Sequence, residues 1–398
     1  METLLPLLPY VTDWLAMLLR WLHLIVGIAW IGASFYFVWL DNSLKKPQDP
    51  ALLAKGVSGE LWAVHGGGFY NPQKYLNAPA QLPPDLHWFI WESYSTWLSG
   101  FALFTVVYLF NANTFLVDPN VFAMSSTTAV LAALGFLVAG WLVYDGICRT
   151  LGQRPGGDRK VAWLVALFVT LATWVACHLF AGRAAFLLMG AMLGTTMSAN
   201  VFFWIIPGQR KVIASMKAGQ TPDPIHGQRA KQRSVHNTYF TLPVLFAMMS
   251  NHYSMTYAHP HNWAVLLLIM LASVLIRQFF ILKHKGVVNW RYPAAGVALL
   301  LGVAVWLAPA PVKPGADTPP VTMAEVKAIV DQRCVMCHNA QIANKNIRLD
   351  SAEAIRANAL LIQQQAVLSR TMPMNNATGI TDAERAALGR WVQAGAQP

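Results

Sequence analysis

Residues 20–32 read Arg20-Trp-Leu-His-Leu-Ile-Val-Gly-Ile-Ala-Trp-Ile-Gly32 and lie within an apolar run that extends over residues 12–40. A helix needs about 20 mainly apolar residues to cross the hydrocarbon core of a bilayer, and this run is long enough. It is too long for the apolar core of a signal peptide, and no basic region precedes it. The sequence therefore predicts a membrane-spanning helix here and no cleaved signal.

Seven further stretches have the same character, and the composition agrees with them. The chain has 398 residues, of which 55% are hydrophobic and only 12% are charged, so lipid is the expected solvent for most of it. We predict an all-α fold in which residues 1–309 form a polytopic membrane bundle of about eight transmembrane helices. The other spans are expected at residues 94–117, 121–145, 161–181, 184–206, 237–257, 262–282 and 292–309.

The basic residues predict the orientation of this bundle. They concentrate in the loops 41–93, 146–160, 207–236 and 283–291, whereas the opposite loops contain only Arg183. Loops rich in lysine and arginine stay in the cytoplasm, so both termini are expected on the outer side of the membrane. The formal net charge of +11 thus reflects topology, and we expect no nucleic-acid partner.

The chain changes character after the last span. Residues 310–320 are rich in proline, which predicts an extended, semi-rigid linker. Residues 321–398 have the composition of a soluble domain. Capping-box patterns at Thr322 to Glu325 and at Thr381 to Glu384 predict two helix starts.

A haem attachment motif lies in this C-terminal domain. Cys334-Val-Met-Cys337-His338 places two thiols for thioether bonds to haem and one imidazole for the iron; a chance match, a zinc pair or a redox pair fits an outward-facing domain less well. A thioether is expected as the second axial ligand. Met372 begins the one Met-Pro element downstream, with Met374 as the alternative. The domain resembles a class I cytochrome c and is predicted to carry covalent haem c.

Histidines in the spans raise the question of a second haem. His23 shares a helix face with Gly27, and ionisable groups at this depth have a functional role by default. The pattern resembles the first helix of small membrane haem b proteins. His178 and His252 are expected in the same outer half, so two of the three could ligate haem b. The alternative is that each is satisfied by a nearby carbonyl or hydroxyl.

The long inner loop is the strongest candidate for a substrate site. Residues 59–70 and 86–100 combine a glycine run, many aromatics and several histidines, which suits a flat anionic ring. An interfacial aromatic belt would explain the tryptophans and tyrosines, but not the histidines and glycines.

These segments carry a resemblance to a known family. Residues 21–32, 65–70 and 86–100, together with the fused C-terminal cytochrome, resemble the bacterial membrane-bound, cytochrome c-linked urate oxidases. The resemblance implies oxidation of urate to 5-hydroxyisourate, with electrons passed to a respiratory acceptor such as a soluble cytochrome c or a terminal oxidase. It also implies that the bundle lies in a bacterial inner membrane, with both outer termini in the periplasm. The alternatives are a quinol or other small-molecule dehydrogenase, a non-catalytic haem redox protein and a transporter.

Roles for individual residues follow from the chemistry of a planar anion that loses electrons and protons. We expect a histidine base, a carboxylate that orients it, cations that hold the anion, and aromatic walls. The candidates in that order are His65 or His87; Glu92; Lys74 and Arg277; and Tyr70 and Trp91.

Overall fold

The computed structural model describes residues 8–75, 79, 82–152, 156–308 and 320–397. The predicted linker, apart from Pro320, lies outside them. The helices are α1 Leu8–Ser43, α2 Pro50–Ala54, α3 Trp91–Phe104, α4 Ala112–Phe115, α5 Ser126–Leu151, α6 Gly157–Leu179, α7 Gly182–Asn200, α8 Ile206–Lys217, α9 Pro224–Met249, α10 Ser254–Tyr257, α11 Asn262–His284, α12 Arg291–Trp306, α13 Met323–Arg333, α14 Ala352–Ala357, α15 Ala359–Ile362 and α16 Asp382–Gln393. The strands are β1 Val57–Glu60, β2 Ala63–His65, β3 Gly68–Tyr70 and β4 Gln73–Tyr75.

Helices occupy every place where a span was expected. Among the described residues, 5 helices are long and apolar enough to cross a membrane: Tyr10–Ser43, α5, α6, the continuous stretch Gly182–Lys217 and α11. The others differ for local reasons. α3 continues into a π-helical turn at Thr105–Leu109 and then breaks before α4, α9 begins in polar sequence, and α12 has only 16 residues. Eight spans therefore remain a prediction.

α7 is the central helix of the bundle and is the most thoroughly buried. Small residues allow its neighbours to approach closely. A Cβ at Gly190 would lie 2.8 Å from the Cβ of Ala247 on α9, and one at Gly140 of α5 would collide with Met192. α5, α6 and α9 pack around α7, while α1 packs on α3 and α12 packs on α11. The bundle core therefore depends on close helix packing around glycine and alanine.

The segment expected as the inner loop 207–236 is mostly helical. α7 runs through a π-helical turn at Val201–Ile205 directly into α8, and α9 already begins at Pro224. The residue before Pro224 is Asp223, whose carboxylate accepts a hydrogen bond from the Ile225 amide and caps the helix. Basic residues that were counted as loop positions therefore lie on helices, and one of them, Arg233, is buried.

Residues 320–397 have a hydrophobic core of their own. Val326 and Val330 of α13 pack with Leu388 and Trp391 of α16, and all four are almost completely buried. Both capping boxes are confirmed, with reciprocal hydrogen bonds at Thr322 and at Thr381. The helix before the haem motif and the final helix thus lie where the sequence predicted them.

Candidate functional site

The glycine run of the inner loop forms a tight turn. β2 and β3 pair as a hairpin in which His65 lies opposite Gly68, and Gly66 and Gly67 have φ values of +57° and +81°. Two successive residues with positive φ define the hairpin turn that suits the twist of paired strands, and glycine adopts it without strain. His65 and Tyr70 are exposed on this hairpin.

Of the other candidate residues of the inner loop, Trp91 and Glu92 begin α3, and His87 precedes it. Trp91 is 69% exposed, whereas Glu92 is half-buried. The Oε2 atom of Glu92 is buried and makes no hydrogen bond in the described part of the chain. The ring of His87 packs edge-on against Phe89, with a centroid distance of 4.6 Å, and Phe89 packs against Phe37 of α1. The structure therefore does not bring Glu92 into hydrogen-bond contact with either histidine.

The two predicted anion partners have different surroundings. Lys74 donates to Asp41 of α1 at 2.7 Å, and both side chains are about half exposed. Arg277 of α11 is only 5% exposed, and its Nε and Nη2 atoms are buried without a hydrogen-bond partner among the described residues. Its guanidinium lies over the ring of Phe35 at 4.5 Å. Arg277 is therefore a buried cation with unused donors.

Polar groups surround Arg277. On α9, the Tyr239 hydroxyl donates to Oε1 of Gln278, the residue that follows Arg277. His284 lies two turns further along the same face of α11, and its Nδ1 is buried without a partner in the described chain. We call Phe35, Tyr239, Arg277, Gln278 and His284 the Arg277 pocket. Sequence reasoning missed Tyr239 and His284, although His284 follows Arg277 at helical spacing.

The Arg277 pocket and His87 lie on different sides of α1. Arg277 contacts Phe35, whereas His87 reaches α1 through Phe89 and Phe37. Each residue of an α-helix is rotated by about 100° from the one before, so residues two apart point to nearly opposite sides of the helix. The predicted base and the predicted anion partner are therefore separated by α1.

A second buried polar cluster was not expected from the sequence. Asp145 of α5 accepts from Arg233 of α9 at 2.7 Å, from Arg149 at 2.6 Å and from the Trp204 indole at 2.7 Å. Asn200 accepts a hydrogen bond from Arg233. We call these five residues the Asp145 network. The sequence contains one indication of this network, because Arg229, Arg233 and Asn237 follow one another at helical spacing. It was missed because residues 207–236 were treated as a loop.

The Asp145 network continues to a tyrosine–histidine pair. Asn200 donates to the hydroxyl of Tyr144 at 3.1 Å, and the same hydroxyl shares a hydrogen bond with Nδ1 of His236 at 2.7 Å. The second amide of this region, Asn237, accepts from Asn200 and donates to the Met197 carbonyl. Every member has a partner, which is the pattern of a network that holds helices together.

The three histidines proposed for haem b make separate contacts. Nδ1 of His23 lies 3.1 Å from the Thr96 carbonyl and 3.1 Å from the Ser99 hydroxyl, and its ring packs on Gly100 of α3. His178 donates from Nδ1 to the Trp174 carbonyl at 2.7 Å and stacks on that indole. His252 is exposed. The ring of His23 therefore packs on Gly100 of α3, and the space beside Gly27 is open.

The C-terminal motif presents groups that fit a haem. Nδ1 of His338 must donate to the Ile347 carbonyl, 3.1 Å away, because a carbonyl only accepts; Nε2 is then left for a metal. Burial raises the pKa of the nearby Cys334 thiol to about 11, so that thiol is protonated at neutral pH. Several large apolar side chains of the C-terminal domain are exposed, namely Met336, Ile342, Leu360, Leu361 and Leu368.

The loop that holds Met372 forms hydrogen bonds with its own domain on one side and with the bundle on the other. The buried Arg385 donates to the Met372 carbonyl at 2.8 Å and to the Ala366 carbonyl. On the bundle side, Asn375 donates to the Thr114 carbonyl at 2.6 Å. Ser254 donates to the Ser369 carbonyl at 2.6 Å. The Met-Pro loop therefore contacts the bundle directly.

Comparison with known proteins adds the family. No curated protein and no solved structure gives a significant match. A family model described as urate oxidase N-terminal matches residues 9–308, which include the whole bundle and the Arg277 pocket. Because that match spans well over half of the sequence, the chain belongs to the urate oxidase N-terminal family.

Proposed function

We propose that this protein oxidises urate to 5-hydroxyisourate in a bacterial inner membrane and passes the electrons through haem c, carried by residues 321–398 in the periplasm, to a respiratory acceptor. The observation that carries the proposal is Arg277, whose buried Nε and Nη2 atoms have no hydrogen-bond partner among the described residues and which lies inside the part of the chain that matches the family. Urate plus water gives 5-hydroxyisourate, two protons and two electrons, so the site needs anion donors, a proton acceptor and an electron outlet.

Arg277 supplies the anion donors. A buried cation without hydrogen bonds is costly, and an anionic ligand that accepts from Nε and Nη2 would offset that cost. Two neighbouring guanidinium donors form a planar fork, which matches adjacent oxygen and nitrogen acceptors on a flat ring. Phe35 provides an aromatic wall, and the Gln278 amide, fixed by Tyr239, can bind a second polar edge of the ring.

The proton acceptor has three candidates. His65 and His87 are the candidates from the sequence, and His87 lies on the other side of α1 from Arg277. His284 shares a face of α11 with Arg277, and its Nδ1 is buried without a hydrogen-bond partner among the described residues. Glu92, whose Oε2 is also buried without a partner in the described chain, is the carboxylate proposed to orient His65 or His87.

Residues of the C-terminal domain would hold the haem c. Cys334 and Cys337 would attach it, and His338 and Met372 would ligate its iron. When bound, this group accepts and releases one electron at a time. Arg385 holds the Met372 segment in place, and Asn375 and Ser254 keep that segment against the bundle. A haem b ligated by two of His23, His178 and His252 remains a further proposal for the path between the two halves; extraction and a pyridine haemochrome spectrum test it.

Anaerobic addition of urate to the purified, oxidised protein tests the proposal. We expect the haem c absorption bands to change to the reduced form, with 5-hydroxyisourate as product and no stoichiometric hydrogen peroxide. Cys337→Ala should lose covalently bound haem and with it the reduction signal. Urate that leaves the haem oxidised under argon, or a quinol that reduces it in place of urate, would overturn the assignment.

A further inference from the structure

A second concentration of positive charge lies at the end of the bundle that the charge bias assigns to the cytoplasm. The guanidinium groups of Arg149, Arg229 and Arg233 lie 4.9, 5.5 and 5.0 Å from the ring of Trp204. Trp204 sits in the π-helical turn between α7 and α8. Such turns are frequent at functional sites, because they displace a side chain from the regular helical position.

The carboxylate that contacts this cluster is already occupied. Both oxygens of Asp145 bind Arg149, Arg233 and Trp204. Two other carboxylates at this end also have partners: Asp158 accepts from Gln232, and Asp223 accepts from the Ile225 amide. None of the three forms an ion pair with Arg229 or Lys211 within the described residues. No described carboxylate therefore neutralises the charges of these two side chains.

Arg229 and Lys211 line a small cavity. It measures about 80 Å³ and also contacts Trp204, Pro207, Gly208 and the half-buried His226. The Nε atom of Arg229 is buried and has no hydrogen-bond partner in the described part of the chain. A solvated basic surface would leave that donor in water, whereas here it faces neither water nor an acceptor. The cavity is too small for a purine and has room for one compact oxyanion.

We propose that this cavity binds a phosphate group, and that Arg229 and Lys211 are its cationic ligands with His226 as a further donor. The membrane location favours the headgroup of an anionic phospholipid as the source of that phosphate, since basic pockets between helices at the cytoplasmic surface suit such headgroups. The proposed site shares no residue with the Arg277 pocket, and it does not depend on urate chemistry.

The test uses the full-length, haem-loaded protein, delipidated in a neutral detergent. Phosphatidylglycerol is added to one set of samples, phosphatidylcholine to a second and inorganic phosphate to a third, and the melting temperature is measured. Phosphatidylglycerol should raise the melting temperature in a saturable way, because a ligand that binds only the folded state stabilises it, and phosphatidylcholine should not. A saturable effect of inorganic phosphate would support the site with free phosphate as its ligand.

The double variant Arg229→Gln/Lys211→Gln should bind phosphatidylglycerol at least about tenfold more weakly, because it loses charged hydrogen bonds. Arg159→Gln/Lys160→Gln removes the same charge from exposed positions at the same end of the bundle and should bind as the wild type does. If the first variant does not fold, Arg229→Lys keeps the charge, loses the planar fork and should give an intermediate affinity. Equal losses in the double variant and its control, or equal stabilisation by phosphatidylcholine, would overturn the proposal.

Discussion

The Asp145 network and the Arg277 pocket are two buried polar regions of one bundle, and they differ in how their cations are paired. Arg233 is 2% exposed and binds Asp145 and Asn200, whereas Arg277 is 5% exposed and two of its nitrogens have no partner within the described chain. The two arginines are thus buried to a similar degree, but the first has hydrogen-bond partners for its charge and the second has donors without partners. A satisfied network stabilises the fold, and an unsatisfied cation is available to a ligand.

The largest expected effect tests the structural half of this comparison. Arg233→Met should lower the free energy of unfolding by about 3–5 kcal/mol, because it leaves Asp145 buried with one partner fewer. Chemical denaturation in detergent, followed by helical circular dichroism, measures this change. Arg159→Met, at an exposed position, is the control and should be close to neutral. If Arg233→Met is as stable as the wild type, the Asp145 network does not stabilise the fold, and the proposed difference from the Arg277 pocket is wrong.

The second prediction tests the functional half. Arg277→Gln should lower kcat/KM for urate about 10- to 100-fold, which corresponds to one lost hydrogen bond to a charged group, while stability stays the same or rises. Haem reduction by urate and thermal unfolding are measured on the same preparation. Arg277→Lys keeps the charge without the fork and should be intermediate. If Arg277→Gln has the kcat/KM of the wild type, Arg277 does not bind urate and the substrate site lies elsewhere.

A smaller effect is expected at His23, whose ring packs on Gly100 of α3. A Cβ at Gly100 would lie 2.8 Å from Cε1 of His23, so Gly100→Ala should cost about 1–3 kcal/mol of stability and displace the imidazole. Gly27→Ala is the matched control, because the space beside Gly27 is open. If His23 ligates haem b, Gly100→Ala alone should also reduce the haem b content. Equal behaviour of the two variants would contradict the packing of His23 on α3.

The smallest effect concerns Lys74. Its ion pair with Asp41 is exposed, so Lys74→Ala should change the free energy of unfolding by less than about 1 kcal/mol. Asp41→Ala breaks the same pair from the other side. If Lys74 serves only the ion pair, both variants should have the same small effect and an unchanged KM for urate. A KM that rises in Lys74→Ala but not in Asp41→Ala would restore Lys74 as an anion partner.

Much of the fold was predictable because it depends on local sequence. Apolar length predicted where helices form, and Thr322 and Thr381 predicted two helix starts that the structure confirms. The motif of Cys334, Cys337 and His338 was also recognisable from local sequence, since its three residues lie within five positions; the haem c that it is expected to hold stays a prediction. The break between α3 and α4 was harder to predict, because the hydropathy of residues 94–117 does not reveal a π-helical turn followed by a break.

The candidate site was predictable in its residue types and only partly in its arrangement. Arg277 was identified from the sequence as a cation that could hold an anionic substrate. The partners of Tyr239 and His23 were not identified, because their contacts join α9 to α11 and α1 to α3.

The sequence by itself determined that the protein is built from apolar helices, that Gly66 and Gly67 permit a tight turn, and that Cys334, Cys337 and His338 are spaced for haem attachment. Only the tertiary structure decided which charges are paired. Arg233 meets Asp145 across 88 residues of chain and Lys74 meets Asp41 across 33, while Arg277 meets no carboxylate among the described residues. Hydropathy and spacing act along the chain, but the pairing of a charge depends on what helix packing places beside it.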